Sequence, residues 1–274
     1  MSGLKLIARF CATSTFVGVR QIMLRLAITV FALILISVSA QAQEGYEFEV
    51  YGAEIPHRGL GELEFNVNFV PSGAQRVDDA EGRATHHSLR SSIELSAGLS
   101  NWLEASLYTV TYARNTAGFA YVGNRGRLTA IAPTTWGLPF EAGISQELGY
   151  ARSGFAESLW AYEVVPIVGK DFGRISVLVN PAFERGLGGA HAWEFEPRGE
   201  VSYALAKDRA LGVAYYSVLG PVEKFDERSH QHHQLFLSGE SALWSGIEGG
   251  LGIGRGLTRN SDRWVIATRL EFSL

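Results

Sequence analysis

Sulfur is the scarcest resource in this sequence. Of 274 residues, one is cysteine (Cys11) and two are methionine. A lone thiol excludes an internal disulfide framework and a thiolate metal cluster. Basic surplus is also missing: 24 Lys and Arg stand against 28 Asp and Glu. That balance argues against a nucleic-acid partner. Long apolar runs are rare. The longest, Leu26–Val38, is broken only by Thr29 and Ser37. It falls short of the ~20 residues a membrane-spanning helix needs. No Gly-x-Ser-x-Gly nucleophile motif occurs.

The apolar run has the context of an export signal. Residues 1–25 hold Lys5, Arg9, Arg20 and Arg25 and no acid, and Ala40-Gln41-Ala42 follows the run as a small-x-small cleavage site. We expect residues 1–42 to be a signal peptide. Met23–Ala42 alone already supplies a basic residue, a core and a cleavage site. Cleavage leaves 20 basic and 28 acidic residues, a formal charge of −8, and removes Cys11 and both methionines.

What the rest has in abundance is alternation. In Asp262–Leu274, Trp264, Ile266, Thr268, Leu270, Phe272 and Leu274 share one face. Arg263, Val265, Ala267, Arg269, Glu271 and Ser273 share the other. Period two is the mark of a strand, whose successive side chains point to opposite faces. Similar stretches recur from Gly61 on, twelve in all, with connections that alternate short and long. An apolar face backed by a charged one, in an even number of strands, predicts an all-β transmembrane antiparallel barrel over 61–274. A soluble sandwich shares the alternation but has no use for a charged lining. Residues 43–60 are less regular. Tyr46, Phe48 and Val50 alternate with Glu47 and Glu49 before Pro56 and Gly59 break the pattern. We expect a segment at or inside the periplasmic mouth, with an extra strand as the alternative.

The last strand resembles the C-terminal strand of bacterial outer-membrane proteins, which the barrel assembly machinery reads, although Leu274 stands where an aromatic is usual. Four further stretches are Ser145-Gln-Glu-Leu-Gly-Tyr150, Asn180-Pro-Ala-Phe-Glu184, Phe195-Glu-Pro197 and Ala210-Leu-Gly-Val-Ala-Tyr-Tyr216. They resemble the outer-membrane transporter family of the MetA pathway of phenol degradation. The resemblance implies a barrel and a transport role, and no catalytic or ligand-binding residue.

If apolar residues face lipid, the other face places fourteen glutamates and seven arginines inside. Among these we expect Glu94, Glu141, Glu147, Arg174, Glu194, Glu196, Arg198, Glu200, Glu240, Arg263 and Arg269 to line a pore. Carboxylate surplus favours cations or neutral polar solutes over anions. The competing reading is a narrow barrel packed by Glu–Arg pairs, with a structural or assembly role and no conduction. A third is lipid hydrolysis at the outer surface, where alternation places His87 and His233, with no nucleophile motif beside them. We expect no enzyme activity, no cofactor and no metal. Six of the seven histidines (His86, His87, His191, His230, His232 and His233) map to the outer rim, on strands that are not all neighbours. The six tryptophans fall mostly at strand ends, as an aromatic girdle requires. The expected partners are outer-membrane lipids, the assembly machinery and a small solute.

Overall fold

The computed structural model describes residues 48–73, 84–115, 117–156, 158–188 and 191–274. The expected signal peptide, 1–42, lies outside them. Twelve strands form in order: β1 (Gly61–Ser72), β2 (Ser88–Ser100), β3 (Leu103–Arg114), β4 (Gly118–Ile131), β5 (Glu141–Ala151), β6 (Trp160–Phe172), β7 (Ile175–Gly186), β8 (Glu194–Ala206), β9 (Arg209–Val218), β10 (His232–Trp244), β11 (Ile247–Gly256) and β12 (Trp264–Ser273). Each pairs antiparallel with its sequence neighbours. β1 pairs β12 with Phe65 opposite Leu270, which closes the cylinder. Among the described residues the only helical element is one 3-10 turn, Thr134–Trp136. No described helix is long and apolar enough to cross a membrane.

The strands form where the alternation predicts them, and the wall is inside out relative to a soluble protein. Leu107 is 71% exposed and Leu237 64% exposed on the outside, while Glu94, Glu147, Glu163 and Glu184 are buried inside. Water cannot be what the outer face meets over such an area. Strands of 10–14 residues match a tilted crossing of the ~30 Å hydrocarbon layer. Trp102, Trp136 and Trp244 are exposed at the short-turn end, and Trp264 at the other. Amphipathic rings belong at such boundaries. Two-residue turns such as Gly173–Arg174 and Lys207–Asp208 mark the periplasmic end, and longer connections such as 219–231 and 257–263 mark the outer end.

One element is not part of the wall. Residues 48–60 thread the barrel before β1 begins. Phe48 packs on Tyr216 and Phe236, in a cluster with Val70 and Val265 near the outer end. Tyr51 lies with Val165, Ile167 and Ala182 at mid-height. Pro56 and His57 reach the periplasmic end of β2, where the Gly59 N–H donates to the Gly98 carbonyl at 2.9 Å. Any side chain at Gly98 would meet the Pro56 carbonyl at 2.3 Å, so glycine is what lets the segment turn into β1 there. Residues 56–60 sit at the mouth. Residues 48–55 run along the lumen without joining the sheet.

Candidate functional site

The lumen is built from the inward residue of every strand pair, and its first property is carboxylate crowding. The register sets Glu147 opposite Glu163, Glu163 opposite Glu184, and Glu184 opposite Glu194 across β5 to β8. A second arc sets Glu94 opposite Glu64, Glu64 opposite Glu271, and Glu271 opposite Glu248 across β2, β1, β12 and β11. Like charges directly opposite one another destabilise a sheet. Arginines compensate. Arg125 meets Glu147 at 2.7 Å, and Arg198 is ion-paired with Glu163. Arg127 is ion-paired with Glu94, while Arg269 meets Glu240 at 2.9 Å and Glu64 at 3.8 Å. Near the outer end Arg90 is paired with Asp262, which also accepts from Thr85. Buried charges of this kind persist only when paired and hydrogen-bonded.

The second property is the occupant. The Tyr51 N–H donates to Asn180 Oδ1 at 2.6 Å, and Asn180 Nδ2 donates to the Tyr51 carbonyl at 3.0 Å. The Tyr51 ring lies 4.7 Å from the Arg127 guanidinium and 5.6 Å from that of Arg198. Glu49 Oε2 stands 3.9 Å from Arg127 Nη1, an attraction of charge beyond hydrogen-bond reach. On the far side Phe236 covers the bare face of Gly254, whose missing Cβ would fall 2.4 Å from the ring. That glycine makes room for the stack under Phe48. The segment thus touches β4, β7, β8, β9 and β10, with no covalent tie to any of them.

Nine of the eleven residues expected to line a pore occupy inward strand positions: Glu94, Glu141, Glu147, Glu194, Glu196, Arg198, Glu200, Glu240 and Arg269. Glu94, Glu147 and Glu196 are buried, and Glu141 and Glu240 are exposed. Two are elsewhere. Arg174 sits exposed in the turn between β6 and β7. Arg263 precedes β12 and lines a surface depression rather than the lumen. In both cases the strand begins one residue after the arginine.

Apolar residues also face inward, outside the charged set expected to line the pore. Tyr108, Val110 and Tyr112 of β3 turn inward and pack with Val122 and with Phe155 of the β5–β6 connection. On the opposite face of this half of β3 stand Leu107, Thr109 and Thr111. The histidines do not converge. His86 stacks on His87, Asn260 contacts His232 at 3.1 Å, and His233 bonds Tyr215 through Nδ1 and Gln231 through Nε2. The only metal-like grouping among the described residues is Glu163, Glu184 and Glu196, with oxygens within 4.8 Å of one another. Arg198 already occupies Glu163.

No family model and no curated protein matches this sequence. Solved structures do match in shape. An outer membrane channel from Pseudomonas putida F1 superposes with a TM-score of 0.59 at 11% identity, over 83% of this chain and 100% of that one. The NanC porin gives 0.53 at 10% identity, over 79% and 100%. The KdgM porin in complex with disordered oligogalacturonate gives 0.52 at 8%, over 78% and 99%. The fold is that of an outer-membrane β-barrel. The barrel belongs in the outer membrane, its apolar face in lipid. The resemblance to the MetA transporter group rests on the four sequence stretches alone.

Proposed function

We propose that this protein is an outer-membrane channel for small solutes, stoppered by its own N-terminal segment. The observation that carries the reading is the occupant. A chain segment runs through the lumen from Phe48 near the outer end to Pro56 at the mouth, held by side-chain packing and by the two hydrogen bonds between the Tyr51 backbone and the Asn180 side chain. Such contacts release without unfolding the wall, because residues 48–55 contribute no strand to it. The structural neighbours named above are channels and porins, which agrees with a transport role at the level of fold. A transporter of the MetA type is the finer form of the same reading.

The lining supports selectivity for cations or neutral polar solutes. With Arg174 and Arg263 outside the lumen, the carboxylate excess is larger than the sequence suggested. Carboxylate arcs attract cations, and a low-dielectric wall strengthens the field. A second reading, a structural barrel without conduction, is favoured by the ion-paired belt at Arg125, Arg127 and Arg198.

Planar-bilayer recording separates the two. Deleting residues 43–55 should produce a steady conductance where the longer chain gives rare openings. Silence from a deletion variant that still shows heat-dependent gel migration would favour the structural barrel.

A further inference from the structure

The outer surface carries a basic feature that the channel does not use. Arg228, Arg255, Arg259 and Arg263 line one depression of about 640 Å³ between the β9–β10 and β11–β12 connections, with Thr258 and Ser261 beside them. No acidic residue contributes to its lining. Among the described residues none of the four arginines has a carboxylate partner. Four unpaired guanidiniums in one hollow are unexpected on a chain whose formal charge is −4. Elsewhere its buried arginines are paired.

The hollow is fixed to the wall at a defined height. Arg255 and Trp264 are register partners on β11 and β12. Both lie on the outward face, in line with the exposed Leu251, Ile253 and Ile266. The Arg255 guanidinium sits 4.8 Å from the Trp264 ring centre and donates to the Arg263 carbonyl at 3.4 Å. Tryptophan marks the lipid–water boundary, and a guanidinium reaching beyond it lies at headgroup level.

The two connections are also locked together. The Leu257 N–H donates to the His233 carbonyl at 2.8 Å, Thr258 Oγ1 donates to the Gln231 carbonyl at 2.7 Å, and Ser261 Oγ lies 2.7 Å from Thr258 Oγ1. The nearby acid Asp262 is turned the other way, onto Arg90 and Thr85. The site is therefore held in shape, cationic, open to the membrane surface, and beside apolar wall.

We infer that this depression binds the phosphate groups of an anionic outer-leaflet glycolipid, with its acyl chains lying along Leu251, Ile253 and Ile266. A planar guanidinium presents paired donors that match phosphate oxygens. Basic pockets at the membrane surface recognise anionic headgroups.

The test uses the full folded protein in neutral detergent, with purified lipopolysaccharide as the probe and native mass spectrometry as the readout. Wild type should retain the lipid. Arg228→Gln with Arg259→Gln should weaken retention by about tenfold or more, the loss expected for charge-assisted hydrogen bonds. Both positions are exposed on connections, so folding should survive, and heat-dependent migration checks it. Lipid stripped of its phosphates should bind as weakly as the variant, and inorganic phosphate should not displace the intact lipid. Equal retention by the double variant, or by the stripped lipid, would overturn the proposal. Saturation of the site by inorganic phosphate alone would overturn its lipid part.

Discussion

Asn180 holds Tyr51 by both of its backbone polar groups. One amide accepts from the Tyr51 N–H at 2.6 Å and donates to its carbonyl at 3.0 Å, at a position with 0% exposure. The side chain imitates a neighbouring strand. It satisfies a buried backbone that otherwise has no sheet partner. This gives the occupant a specific seat.

Replacing Asn180 by Ala removes both bonds at once. At ~1 kcal/mol each, the balance between seated and released segment shifts by ~2 kcal/mol, or about thirtyfold. Single-channel records should show openings more frequent by that order. An unchanged opening frequency would mean that Asn180 serves the wall alone.

The Arg127–Glu94 pair is buried on both sides, at 8% and 3% side-chain exposure. Arg127→Gln leaves Glu94 and Glu49 without that cation. Breaking one side of a buried pair costs ~3–5 kcal/mol. The prediction is a matching loss in urea unfolding from lipid vesicles, much of it recovered when Glu94→Gln is added. A double variant less stable than either single variant would show that the pair is not the relevant contact.

Leu237 tests the outer face. It lies mid-strand and is 64% exposed. An arginine at the bilayer midplane costs ~2–4 kcal/mol. Leu237→Arg should lose that much in vesicle unfolding, while Ser238→Arg, one residue on and facing inward, should lose far less in the segment-deleted protein. Equal losses would contradict the in–out assignment.

Alternation made the wall legible. Strand number, closure and nine of the inward residues follow from period two, because lipid and a charged interior leave each residue little choice of face. Arg174 and Arg263 each stand one residue before a strand begins, β7 at Ile175 and β12 at Trp264, where the alternation still reads on but the chain already belongs to the connection. The occupant was harder to see. Phe48 and Val50 alternate with Glu49 as a strand would, so composition could not say whether they join the sheet or lie inside it. A signal was present nonetheless. Val165, Ile167, Phe236 and Val265 are apolar residues at inward positions. Apolar residues in a polar interior need something apolar to cover them, and Phe48 and Tyr51 do so.

Selectivity depends on the corrected lumen. In the segment-deleted protein, reversal potentials in a salt gradient should favour cations, and Glu196→Gln with Glu200→Gln should reduce that preference. Anion preference would contradict the face assignment. No change on neutralisation would place both glutamates outside the conduction path.

The central claim, that residues 48–55 are a removable stopper, is tested most directly by tethering it. The chain after residue 42 has no cysteine, so two introduced thiols are unambiguous. Gly52 and Leu178 are suited, since a Cβ at 52 would lie 3.8 Å from the Leu178 side chain. Gly52→Cys with Leu178→Cys, joined by a short cleavable thiol cross-linker, should be silent in a planar bilayer. Openings should appear when the linker is cut. Equal current before and after cutting would contradict the account.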